Sequence, residues 1–377
     1  MEILILLLLL LFLAYAVLLL YYRAGWIQMP EYKLNRQHEP RTSVTILIPA
    51  RNEEKYIGKL LEEVCNQFYP PNLMEIILID DHSSDATAQI AQQFNRVRCV
   101  SLSDFIEGET LNAYKKKAIE VGIQHSSGEL ILTLDADCRL CNYWLLSIVS
   151  YYEKYRHAFI ASPVLYHDSR NWFQSFQSID FTTMQGITAA LAQTHSGTMC
   201  NGANLAYTRR AFEAVNGFEG IDQLASGDDM LLMYKLESKF PQRTTWLKCK
   251  DAIVYTYPVN TLTDFLQQRV RWASKANHFD DKRMQAVLLL VFVFNASFLF
   301  LLIGSFFDAR CLAILVTMLL GKIGIELSFL IPVASFFRKK KELFRFPWLQ
   351  GLHILYILYA GLRGQAGTYQ WKDRKVS

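Results

Sequence analysis

Two aspartates one residue apart, Asp135 and Asp137, stand at the end of the apolar run in GELILTLDADC, residues 128–138. Carboxylates at that spacing suit a hard divalent cation such as Mg2+ or Mn2+, which takes one or two of them and fills its shell with water and phosphate oxygens. The same pair is equally a turn in which Asp135 caps the next helix. Asp80 and Asp81, closing EIILIDD, and Asp228 and Asp229, just before the helix-period run from Met230, share that ambiguity, since carboxylates at a helix start are ordinary capping features. In QQRVRW, Gln268, Arg271 and Trp272 fall on one helix face. Arginine is a forked donor for diphosphate oxygens and indole an apolar platform for a sugar ring. The competing reading is an interfacial helix whose Arg and Trp meet lipid head groups. Cys138 and Cys141 form a CxxC with no second pair and no thioredoxin-like surroundings, so they read as structural.

The elements that must position these groups alternate. SVTILIP (43–49) is a β-branched strand stopped by proline, and ARNEEKYIGKLLEEVCNQ has amphipathic helical spacing. EIILIDD, then HSSDATAQIAQQF with its Ser/Asp start, the short RVRCVSL, the helix NAYKKKAIEVGIQHS and the strand before Asp135 repeat the pattern. Strand, helix, strand predicts an α/β fold with a mostly parallel, doubly wound sheet. Asp81, Asp135 and Asp137 then share the carboxyl-end edge, where open α/β sheets bind ligands. Asp85 reads as a helix cap.

The chain has 377 residues, 51% of them hydrophobic, with the excess at the two ends. Residues 3–20 are an unbroken apolar run long enough to cross roughly 30 Å of hydrocarbon. No basic residue precedes that run and no small-residue cleavage site follows it, so it is expected to be an uncleaved anchor. Two further spans are expected at 286–307 and 311–337, and a last apolar stretch at 344–362 either spans or lies in the interface. The expected organisation is thus an anchor at 1–22, a linker at 23–42, a soluble domain at 43–283, these membrane segments and a polar tail at 363–377. Arg23, Lys33, Arg36 and the run Arg338–Lys341 place the soluble domain in the cytoplasm, at the cell membrane. If the last stretch spans, Arg363 and Lys372 lie outside, against that tendency. Lys322 and Glu326, at i and i+4 inside a span, can pair and lower the cost of burying charge. RNWFQSFQSIDFTTMQG, residues 170–186, reads as an interfacial element. A net charge of +4 carries no nucleic-acid footprint, and seven scattered cysteines exclude a disulfide framework in a cytoplasmic domain.

Taken together, IPARNEE, IDDHSSD, KKKAIEVGI, LDAD, NGAN, SGDDM and QQRVRW resemble, in order and spacing, the family 2 inverting glycosyltransferases, particularly the membrane-embedded hyaluronan, cellulose and chitin synthases and their smaller relatives. The resemblance covers the soluble domain and the flanking spans. It implies a GT-A fold, a nucleotide-sugar donor, most simply UDP-linked, a divalent cation, and a glycan or lipid acceptor at the membrane. Asp137 would hold the metal, with Asp135 on the ribose or sugar and the metal. Pro49, Arg51 and Glu53 match the loop that receives base and ribose, Asp81 the carboxylate that meets uracil, and Lys116 and Lys117 a position near the diphosphate. Asp229 matches the general base, preceded here by Asp228 where Glu is commoner. Asn201, Gly202 and Asn204 match the loop beneath the acceptor, and Gln268, Arg271 and Trp272 the motif that leans towards a processive polymerase. Transfer of a single sugar to a lipid is the alternative, and a catalytically dead scaffold or a transporter the rivals from other classes. A dead relative typically loses the DxD or the base, and here both stand.

Overall fold

In the computed structural model the described residues are 2–106, 112–197, 199–224, 227–274 and 282–364, with the backbone of two short strands at 369–371 and 374–376. Of the expected polar tail, residues 365–368, 372, 373 and 377 lie outside them. In chain order the elements are α1 (Glu2–Gln28), β1 (Val44–Ala50), α2 (Ile57–Cys65), β2 (Met74–Asp80), α3 (Thr87–Gln92), β3 (Val97–Ser101), α4 (Tyr114–Gln124), β4 (Leu130–Leu134), α5 (Trp144–Tyr155), β5 (Phe159–Ala161), β6 (Val164–Tyr166) and α6 (Trp172–Thr194). They continue as β7 (Asn204–Thr208), α7 (Arg209–Ala214), α8 (Met230–Lys239), β8 (Thr244–Trp246), β9 (Val254–Thr256), α9 (Leu262–Ser274), α10 (Lys282–Gly304), α11 (Ala309–Phe336), α12 (Gln350–Gly364), β10 (Tyr369–Trp371) and β11 (Arg374–Val376). The chain divides into two compact units, one of Met29–His167 with Leu191–Tyr257, the other of Met1–Gln28, Asp168–Ala190 and Pro258–Ser377.

The first unit is built on a seven-stranded sheet in the order β3-β2-β1-β4-β7-β5-β8. Strands β1 to β4 pair in parallel, as the alternation of strands and helices predicts. β1 and β4 are buried almost along their whole length, which is why they read as continuous apolar runs. Helix α2 covers the sheet with Ile57, Leu60, Leu61 and Val64, all buried, at helical spacing. Helix α4 lies closer still, because a Cβ at Gly122 would come within 2.9 Å of both Ile79 and Leu47. Strand β7 breaks the parallel run: it is antiparallel to both β4 and β5, in register Leu134↔Asn204. Its amino end therefore meets the carboxyl end of β4, and the Asn201–Ala203 loop reaches the same edge as Asp135. A small second sheet pairs β6 with β9, and Arg139 bridges to Tyr255, tying the chain after Asp137 to β9.

Among its described residues the second unit contains three helices long and apolar enough to cross a membrane, α1, α10 and α11. α12, at 15 residues, extends for about 22 Å, short of the roughly 30 Å hydrocarbon core. α6 as far as Ala190, together with α9, belongs to this unit. The reason is an aromatic seam, in which Phe176 of α6, Phe265 of α9 and Tyr356 of α12 meet edge to face, 5.3–5.7 Å between ring centres. The Lys322–Glu326 pair forms at 2.7 Å within α11. Lys322 also donates to Gln350 at 2.5 Å, Gln350 donates back to Glu326 at 2.9 Å, and Tyr15 donates to Glu326 at 2.5 Å, so the pair ties α11 to α1 and α12.

Candidate active site

All of the candidate groups of the first unit lie at the carboxyl-end edge of its sheet. At the ends of β1 and β2, Pro49 sits in register with Ile79, and the Arg51 guanidinium donates to the Asp81 carbonyl at 3.0 Å. Its side chain also approaches the Asp81 carboxylate at 3.9 Å. Asp81 is buried, and its Oδ1 lies 2.9 Å from His82 Nδ1. The loop after β1 is tied to the start of α3: Glu53 N–H bonds Thr87 Oγ1, Glu54 N–H bonds Asp85 Oδ2, and Asp85 Oδ1 takes the Thr87 N–H. Asp85 thus accepts backbone N–H groups just before α3, one residue ahead of the cap position, which Ala86 occupies. Arg51 and Asp81, far apart in sequence, are brought together here.

At the end of β4, Asp135 and Asp137 leave the sheet in different company. Asp137 Oδ2 accepts from Thr256 Oγ1 of β9 at 2.8 Å. Asp135 Oδ1 is 2.8 Å from Lys115 Nζ, and the same ammonium lies 3.0 Å from Asp228 Oδ2. One lysine thus joins the DxD aspartate to the acidic pair that precedes α8. Burial works against the charge of Lys115, but the two carboxylates outweigh it and hold its pKa well above the ordinary lysine value. The sequence reading passed over this residue in favour of its neighbours. Lys116 is buried and donates to the carbonyls of Ile221 (2.5 Å) and Leu224 (2.8 Å), holding that loop. Lys117 is half-buried on the same helix.

Asp229 is buried at the start of α8, where its carboxylate accepts the Met230 N–H at 2.7 Å. Gly202 lies against this group: a Cβ there would stand 3.1 Å from Asp228 Oδ2 and from Lys115 Nζ, and 3.6 Å from Asp229 Cβ. The NGAN loop itself is pinned by its asparagines. Asn201 Oδ1 takes the Ala203 N–H, while the fully buried Asn204 accepts from Trp144 Nε1 at 3.0 Å and donates to the carbonyls of Pro163 and Ala252, both at 2.9 Å. Asn204 is a structural pin for β7, and Gly202 is the residue that faces the charged cluster.

In the second unit, Gln268, Arg271 and Trp272 are all half-buried on α9. The residue between them is the anchored one. Arg269 is buried, pairs with Asp180 of α6 at 2.7 Å, and stacks over Trp272 at 4.1 Å and Phe265 at 4.5 Å. Tyr356 of α12 donates to the other oxygen of Asp180. The Asp180–Arg269 pair thereby fixes the ring of Trp272.

Among the described residues no group of three or more His, Cys, Asp or Glu gathers to enclose a metal ion. The donor set is two carboxylates, Asp135 and Asp137, which fits Mg2+ or Mn2+ sharing its shell with substrate phosphates and does not fit a closed site of four protein ligands.

The chain has similarities to known proteins. Residues 45–215 match the model of Glycosyl transferase family 2. The chain is 36% identical over 102 residues to Glycosyltransferase AglE of Haloferax volcanii, covering 27% of this chain and 33% of that one. It is 25% identical over 291 residues to the Probable glycosyltransferase YdaM of Bacillus subtilis, covering 72% of this chain and 66% of that one. It is also 32% identical over 115 residues to the Beta-monoglucosyldiacylglycerol synthase of Trichormus variabilis, covering 29% of this chain and 24% of that one. The chain thus spans less than two thirds of the length of each of these curated relatives. Among solved structures it is similar to the mannosyltransferase PcManGT from Pyrobaculum calidifontis in complex with GDP-Man and Mn2+, with a TM-score of 0.58 at 16% identity over 93% of this chain and 94% of that one. That similarity shows a GT-A-like fold. Together the findings show a match to the family 2 glycosyltransferase model over residues 45–215 and a GT-A-like fold.

Proposed function

We propose that the chain is a membrane-anchored, inverting, metal-assisted glycosyltransferase that moves one sugar from a nucleoside-diphosphate sugar, with UDP as the first nucleotide to test, to a hydroxyl of a membrane lipid. The observation that carries this reading is the Lys115 bridge between Asp135 and Asp228, with Asp229 and the bare Cα of Gly202 beside it. An empty-handed carboxylate pair would be only a turn; a lysine held charged among carboxylates at the ligand edge of an α/β sheet is suited to a diphosphate. Arg51 and Asp81 are the groups for the nucleotide's base and ribose, and Lys115 replaces Lys116 as the cation for the diphosphate. Asp135 and Asp137 would hold a divalent cation, which supplies further charge neutralisation when bound.

In the transfer, the acceptor oxygen forms its bond to the sugar's anomeric carbon as the bond from that carbon to the diphosphate oxygen breaks, the leaving diphosphate keeping the electron pair. The acceptor's proton passes to the Asp229 carboxylate, whose backbone bond to Met230 N–H fixes its aim. Attack opposite the leaving group inverts the anomeric carbon, much as a carboxylate-activated water does in inverting glycosidases. The named activity of the Trichormus relative and the presence of three candidate spans favour a lipid acceptor and a single transfer. The motif around Trp272 supports the other reading, a polysaccharide.

Purified chain in detergent, supplied with membrane lipid extract and each sugar nucleotide in turn, tests this through nucleoside diphosphate release and mass spectrometry of the lipid product. One added sugar per lipid is expected, and a ladder of sugars would move the assignment to a polymerase. No release from any donor, with Mn2+ and Mg2+ both supplied, would sink the enzyme reading.

A further inference from the structure

We infer that the second unit carries a site for one anionic glycerophospholipid, in the groove between α1 and α11 that Arg23 of α1 and Lys340, just beyond α11, both line. The inference rests on the membrane reading of α1 and α11. The groove has a volume of about 490 Å3, and its walls include Leu20, Ile331 and Pro332, its mouth Arg23, Ser335 and Lys340. Arg23 Nε donates to the Ser328 carbonyl of α11 at 3.1 Å, which fixes the guanidinium across the gap and leaves its terminal nitrogens for another acceptor. Among the described residues neither Arg23 nor Lys340 pairs with a carboxylate. The neighbouring lysine is otherwise engaged: Lys339 is buried and meets Asp168 and Glu342, each at 3.3 Å. Two cations from separate elements therefore converge on a hydroxyl-lined mouth above an apolar cleft. That is the chemistry of a phosphate diester carrying an acyl chain, since a free phosphate would leave the apolar walls unused.

The segment that follows supports the same depth. Phe344 and Trp348, in the 3-10 stretch Lys340–Leu349, are 85% and 84% exposed, an arrangement that suits aromatic side chains at the boundary between head groups and hydrocarbon. Basic pockets between membrane helices on the cytoplasmic side are established head-group sites.

Native mass spectrometry of the full chain, in detergent doped with equal phosphatidylglycerol and phosphatidylcholine, tests the site. One retained phosphatidylglycerol per chain is expected. Arg23→Gln with Lys340→Gln should weaken that retention about 25-fold, on the basis of roughly five-fold for each basic side chain near a membrane surface. Ser335→Trp, which fills the mouth without changing charge, should also abolish it, so the loss cannot be ascribed to net charge alone. Equal retention of phosphatidylcholine, displacement by millimolar inorganic phosphate, or unchanged retention in both variants would each overturn the inference. Carbonate extraction separates this from failure of the membrane reading. A chain washed from membranes by alkali loses both proposals, whereas one that resists extraction but retains no phosphatidylglycerol loses only this one.

Discussion

A lysine shared by two carboxylates sets what each of the three can do. With Lys115→Met, Asp135 and Asp228 would face each other without their cation, and donor affinity should fall about 10-fold or more, the scale of a charge-assisted hydrogen bond; calorimetric titration of the donor checks this, and unchanged affinity would return Lys115 to a structural role. The pH dependence has a definite sign. A lysine whose folded pKa is raised contributes stability below its unfolded value, about 10.4, and loses it only as pH climbs through the folded one. The wild-type minus Lys115→Met difference in urea unfolding should therefore be flat between pH 6 and 9, and a difference that changes across that window would show that another group holds the bridge together. Asp229→Asn keeps the shape and the helix start but cannot take a proton, so turnover should drop about 10²- to 10⁴-fold with donor binding intact. Near-normal turnover in that variant would mean the wrong carboxylate has been named. Gly202→Ala would press on Asp228 and Lys115 at 3.1 Å and should lower turnover more than folding stability, as paired activity and melting measurements would reveal. The carboxylates were legible in the sequence because DxD and DD pairs at strand and helix ends are written in residue order. Lys115 was not: three successive lysines on a helix point in three directions about 100° apart, and only the packed phase of α4 decides which one faces the sheet edge.

At the scale of elements, the parallel strands were readable because both faces are buried and the apolar runs are continuous. The reversal of β7 was not, since a strand buried on both faces carries no periodic sign of its direction. The packing of α6 and α9 was not legible for a related reason. An aromatic, amphipathic helix can seat its apolar face on lipid or on protein, and Phe176, Phe265 and Tyr356 pack on one another. The network centred on Lys322 and Glu326 offers a test of how α11 is held. Removing one partner leaves a buried charge uncompensated, which typically costs about 3–5 kcal/mol, so Lys322→Met alone should lower thermal stability in detergent more than Lys322→Met combined with Glu326→Leu. A double variant no better than the single would show that the pair is not what joins α1, α11 and α12.

For the whole molecule, three long apolar helices agree with the spans read from the sequence, and the basic run Arg338–Lys341 sets the expected side. An introduced cysteine at Glu62, which is exposed on α2, should be labelled by an impermeant thiol reagent only after cells are opened, with the unsubstituted chain as the background; labelling of intact cells would reverse the orientation. Strand β7, running against its neighbours, also separates two kinds of evolutionary freedom. The proposed donor readers, Arg51, Asp81, Lys115 and Asp135, all precede it in the chain, on or beside the parallel strands, while the loop bearing Gly202 enters from the opposite direction and is clamped just behind by Asn204. A foreign loop spliced in ahead of that clamp leaves the register of the sheet undisturbed, and it spares the donor half only if it keeps a glycine where Gly202 faces Lys115. Under the proposed function, such a chain would exchange its acceptor by recombination at one short segment and inherit its nucleotide unchanged.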